Sequence, residues 1–164
     1  MGNICSYIQR GKSPKYSETR KIPVISQKCI QWSGFSIVPA KFITEESLKS
    51  YTTDRFLQDQ DLLWNSTGLG TVGRVTVYYQ AKNPYQIAVA DSHVTVLRPL
   101  KISSQYLYLF LSSPEVQDII EEVCEGSTKQ KELALSTVKQ YLISLPPLEE
   151  QKRIVKKIEE LETF

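Results

Sequence analysis

Three of the chain's seven glycines, Gly68, Gly70 and Gly73, fall within six residues and satisfy G-x-G-x-x-G, the spacing that cradles a dinucleotide pyrophosphate. Asp91 lies near the distance expected for the acid that would bind the ribose. That chemistry requires the third glycine to open a helix, because the helix N-terminus supplies the amide donors and the dipole that hold the phosphates. Here Gly73 is followed by Arg74-Val75-Thr76-Val77-Tyr78-Tyr79, whose β-branched and aromatic residues favour a strand. The segment is therefore read as strand, glycine loop, strand. In Asn65-Ser66-Thr67-Gly68-Leu69-Gly70-Thr71 the small residues let another surface approach the main chain closely, unless the loop is a plain hairpin connection.

Other reactive patterns are sparse. His93 is the single histidine and follows Ser92 directly. Neighbours on a strand point to opposite faces, so the two are not expected to form a nucleophile and base, and His93 is read as packed or partner-facing. Asn83-Pro84-Tyr85 matches part of the N-P-P-Y motif of amino methyltransferases but lacks its second proline. No P-loop, H-E-x-x-H or EF-hand pattern occurs. Cys5, Cys29 and Cys124 are odd in number and widely spaced, which argues against a disulfide framework or a zinc site and suits a reducing cytoplasm. No metal and no cofactor are expected.

At 164 residues, 41% hydrophobic and 23% charged, the chain has the composition of one ordinary globular domain. Its longest apolar run, Tyr106 to Leu111, is too short to span a bilayer. Met1-Gly2-Asn3-Ile4-Cys5-Ser6 formally fits a myristoylation pattern, but it runs straight into β-like sequence and is set aside. Net charge is +2, unevenly spread: Met1 to Lys28 holds six basic residues against Glu18 alone, whereas eleven of the eighteen acids lie at or beyond Glu115. A basic body of this kind suits a polyanion partner or is simply a solvated face.

The elements that would position these residues alternate between strand and helix signals. Asn3 to Gln9, Ile22 to Ile25 with Pro23 near its start or on an edge, and Ile87 to Leu97 read as strands. Cys29 to Val38 carries Ile30, Trp32, Phe35 and Ile37, with Trp32 stacked or packed at an interface or, as is more usual for a large aromatic in a strand, in the core. Thr44 is expected to cap a short helix over Glu45 to Tyr51, and Tyr106 to Leu111 is read as helical. Ser113-Pro114-Glu115 should start a helix carrying Val116, Ile119, Ile120 and Val123 and ending at Gly126. Gln140 to Leu145 reads as a strand closed by Pro146-Pro147. Leu148 to Phe164 is an amphipathic helix on which Ile154, Ile158 and Leu161 form a coiled-coil seam or one face packed on its own domain. The class is α+β, mixed and strand-rich with short helices, organised as 1–147 followed by the helix 148–164.

Five blocks occur in order: Gly11-Lys12-Ser13-Pro14-Lys15-Tyr16, Asp61 to Val75, Asp91-Ser92-His93-Val94-Thr95-Val96, Glu125-Gly126-Ser127-Thr128-Lys129-Gln130, and Leu145-Pro146-Pro147-Leu148-Glu149-Glu150-Gln151. Together they resemble the target recognition domain of type I restriction-modification specificity subunits, over nearly the whole chain. The resemblance implies a non-catalytic module that reads one half of a split double-stranded DNA target. It also implies docking to a methyltransferase (modification) subunit and, through the complex, work with a restriction subunit in defence against foreign DNA. One recognition domain is present where the family has two, and the final helix stops at Phe164 where the family's usually continues. An excised domain, a half-subunit pairing with a second copy, and a gene remnant that serves only as an interaction fragment all stay open. Phosphate contacts are expected from Lys12, Lys15, Arg20, Lys21, Lys28, Lys129 and Lys131. Base edges or close backbone approach are expected from Gln31, Ser66, Thr67, Thr71, Arg74 and Gln130.

Overall fold

The computed structural model describes residues 1–127 and 130–163. Its centre is a four-stranded antiparallel sheet in the order β1 (Cys5–Arg10), β9 (Val94–Pro99), β6 (Leu62–Asn65), β7 (Val75–Val77). The run Leu62-Leu63-Trp64 is apolar at every position because both faces of this sheet are covered, and all three residues are fully buried. Ile8, Leu62, Trp64, Val75, Val77 and Leu97 belong to one core layer, together with Leu107, Leu111, Val116 and Val138 from helices α2 (Ser104–Ser112), α3 (Pro114–Gln117) and α4 (Leu135–Gln140). Leu63, Tyr78, Val94 and Val96 belong to a second layer with Ile25, Cys29, Ile30 and Phe35.

The second layer is built from two smaller units. A three-stranded sheet runs in the order β5 (Lys41–Ile43), β2 (Ile22–Ile25), β8 (Val89–Ala90), and a two-stranded hairpin joins β3 (Ile30–Gln31) to β4 (Gly34–Phe35). β2 is antiparallel to β5 and parallel to β8. Pro23 fits the middle strand because β8 pairs only with Val24 and Ile25, leaving Pro23 with β5 alone as a neighbour. Thr44 caps α1 (Glu45–Leu48), its hydroxyl accepting from the Ser47 amide at 3.0 Å.

Several expectations are corrected. Ile87 to Leu97 is two strands in different sheets, divided by a turn in which the Asp91 carboxylate accepts from the His93 amide at 2.9 Å. The helix from Pro114 completes little more than one turn. Gln117 turns its amide back onto the Gly73 and Leu111 carbonyls at 2.9 and 2.6 Å, and the next bond, Ile120 N–H to Gln117 O, is of the tighter i to i−3 kind. Glu121 and Glu122 would also place negative charge at the helix's negative end. Gln140 to Leu145 is the end of α4 and then extended chain without a ladder. The alternation is real, with Tyr141 and Ile143 half-buried and Leu142 exposed, but no strand lies alongside among the described residues. Trp32 sits at the tip of the β3–β4 hairpin and is 49% exposed, because the core is filled by its strand neighbours Ile30 and Phe35.

Candidate nucleic-acid interface

The glycine segment does connect two strands, β6 and β7, and Gly73 leads into β7 rather than a helix, so there is no helix N-terminus to hold a pyrophosphate. The loop between them is pinned at both feet. On one side Gln27 donates to the Thr67 carbonyl at 3.0 Å and to its hydroxyl at 2.7 Å, and the Thr67 hydroxyl also meets His93 Nδ1 at 2.7 Å. On the other, the Gly73 carbonyl accepts from Trp64 Nε1 at 2.7 Å and Gln117 Nε2 at 2.9 Å. Arg74 closes the loop by donating to the Gln31 side chain at 2.9 Å and to the Gly70 carbonyl at 3.1 Å.

A third segment flanks it. Thr67 and Glu132 form a β-bridge, and the Leu133 amide donates to the Ser66 carbonyl at 2.7 Å. Arg10 joins this edge to the Asp91–His93 turn, with its Nε on the Ser92 carbonyl at 3.0 Å and its Nη1 paired with the Glu132 carboxylate. Burial pushes the Asp91 carboxyl above the usual carboxylate range, against the downward pull of the His93 amide, His93, Lys41 and Arg10.

The fold thus collects Gln31, Thr67, Thr71, Arg74 and, beside them, Lys28 around one loop. Gln31 donates to the Lys28 carbonyl at 2.9 Å, and Lys28 itself is exposed. Gln130 is exposed on the neighbouring segment, where Lys131 Nζ is held by the Glu121 carbonyl at 2.9 Å. Lys12 lies behind the Asp91 turn, bridged to it in backbone and bonded through Nζ to the Ser50 carbonyl at 2.8 Å. Lys15 is exposed just before Tyr16, which bridges to Ile43. Arg20 and Lys21 belong to a different part of the surface: Arg20 stands over the Phe42 ring and Lys21 pairs with Glu45 at 3.0 Å. Lys129 lies outside the described residues.

Ser66 is fully buried and bonded to the Thr95 hydroxyl, so its side chain is withdrawn from the surface expected for a base-reading residue. Sequence reasoning missed Gln27 and Arg10. Gln27 is 40 residues from Thr67, and no local pattern signals such a partner. For His93, the Asp91-Ser92-His93 turn chemistry was a signal available in the sequence.

The C-terminal helix α5 (Leu148–Glu162) is tied to the domain by Gln151, which is 1% exposed. Its Oε1 accepts from the Ser103 amide at the start of α2 at 2.8 Å, and its Nε2 donates to the Pro146 carbonyl at 2.8 Å. Ile154 and Ile158 are half-buried and Leu161 is 63% exposed.

The body is thus two-layered α+β, with Gln31, Thr67, Thr71 and Arg74 gathered around one pinned loop. The chain belongs to the type I restriction modification DNA specificity domain family, whose model matches residues 1–163. Among solved structures, it resembles a chain from work on the assembly and conformational transition of the type I R-M system, with a TM-score of 0.70 and 20% identity over 99% of this chain and 37% of that one. It also resembles the HsdS subunit from Thermoanaerobacter tengcongensis, with a TM-score of 0.63 and 19% identity over 98% of this chain and 40% of that one. For the type I restriction-modification S subunit from M. genitalium the TM-score is 0.61, with 15% identity over 99% and 37% of the two chains. These likenesses are of fold, and this chain spans about two fifths of the length of each. No curated protein matches it.

Proposed function

We propose that this chain is a sequence-specific double-stranded DNA recognition module that reads one half of a bipartite target and docks a modification subunit through α5. It directs chemistry performed by partner subunits and has none of its own. The observation that carries the reading is the convergence of Gln27, Gln31, Thr67, Arg74 and His93 on one pinned glycine loop in a chain of the specificity-domain family. These side chains hold the loop in one shape, its glycines let a base edge approach the main chain closely, and exposed lysines such as Lys28 and Lys15 supply phosphate contacts. The exposed apolar end of the α5 seam, Leu161, supports a helix-to-helix contact with a partner.

The test is selection of bound duplexes from a randomised pool at about 0.15 M salt with competitor DNA, where weak non-specific attraction is largely screened. An enriched motif of a few base pairs is the expected result. No enrichment, with the chain alone and with a modification subunit added, would leave an interaction fragment as the function.

A further inference from the structure

The polar side chains of the glycine loop turn inward. Thr67 is engaged by Gln27 and His93, the Thr71 hydroxyl donates to the Thr67 carbonyl at 3.1 Å, and Arg74 holds Gln31 and Gly70. The two apolar residues of the loop behave oppositely: Val72 is 7% exposed in the core, whereas Leu69 at the tip is 62% exposed. Leu69 stands between Gly68 and Gly70, whose φ values of +99° and +71° are left-handed, and the Val72 amide bonds the Gly68 carbonyl at 2.9 Å. The tip held this way turns its leucine out to solvent. What it offers outward is one aliphatic side chain on bare backbone.

We propose, building on the DNA-reading function above, that Leu69 is a specificity-determining residue that recognises the C5-methyl group of a thymine. The major groove is polar except at that methyl, which is the one feature of a base edge that an aliphatic side chain distinguishes. The glycines on either side let the loop backbone come close enough for the contact without side chains intervening.

The experiment starts from the motif selected by the intact chain, with the modification subunit present if binding requires it. Each thymine is replaced singly by deoxyuridine, which removes only the methyl, and dissociation constants are read by fluorescence anisotropy for the natural chain and for Leu69→Ala. One position is expected at which deoxyuridine weakens the natural chain about fourfold, the size of one methyl-sized contact, and leaves Leu69→Ala unaffected. An exposed leucine is replaced without disturbing the core, and equal melting temperatures would establish that. A motif without such a position, or equal losses in both proteins, would overturn the inference while leaving DNA reading intact. Absence of any motif would overturn both.

Discussion

Arg74 divides its guanidinium between the Gln31 side chain and the Gly70 carbonyl, so one residue ties the loop to the β3–β4 hairpin and sets the shape it presents. Replacement by alanine should weaken DNA binding by about 1–3 kcal/mol and lower its salt dependence, and lysine should not rescue it because a point charge cannot reproduce the fork. Binding curves at several salt concentrations for both variants decide this, and unchanged curves would remove Arg74 from the interface. Asp91 acts on stability instead. Burial raises its pKa above the ordinary 3.8, so the folded chain holds the proton to higher pH than the unfolded chain does. The stability this gives is complete below the ordinary value and is lost as pH rises through the raised one. An asparagine side chain in its place would keep the acceptor for the His93 amide without the buried charge. Asp91→Asn should therefore melt higher than the natural chain at pH 7, with the gap closing as pH falls through the raised value toward the ordinary one, which thermal scans across that range would show.

At the scale of elements, the loop is held by contacts that cross the fold. Gly73 has φ +85°, and a Cβ there would stand 2.6 Å from Ile120 Cγ1, in the turn that follows α3. Gly73→Ala is expected to cost about 1–3 kcal/mol, measured by denaturant unfolding, from backbone strain and displacement of Ile120 together. Gln151 is the corresponding fastener for α5. Its two bonds join the Ser103 amide to the Pro146 carbonyl across the start of the helix, which explains why a glutamine belongs at the end of the Leu145 to Gln151 block. Gln151→Leu should leave both backbone groups unpaired and lower stability by about 1–3 kcal/mol, with faster hydrogen exchange over α5 than over β6. Exchange rates that rose equally in both would mean that the helix and the sheet open as one unit.

At the scale of the whole molecule, the proposed docking surface is the outer side of α5, where Leu161 is exposed. Leu161→Glu, at an exposed position, should leave folding within about 0.5 kcal/mol and weaken association with a modification subunit or second copy, as followed by sedimentation. Undiminished association would place the docking surface elsewhere. Much of this organisation was readable in the chain. β-branched and aromatic residues after Gly73 excluded a cofactor-binding helix, Thr44 marked its cap, and short apolar, β-branched runs marked strands such as Ile22 to Ile25, because each of these signals is local to a few consecutive residues. The ordered blocks identified the family for the same reason. Only the tertiary structure decided that Ile87 to Leu97 divides between two sheets, that Trp32 is at a hairpin tip while Ser66 is buried, and that Gln27 and Arg10 fasten the candidate interface. The last two depend on partners 40 and 82 residues away, Thr67 for Gln27 and Ser92 for Arg10, and side-chain periodicity carries no record of which distant segment fills the space alongside.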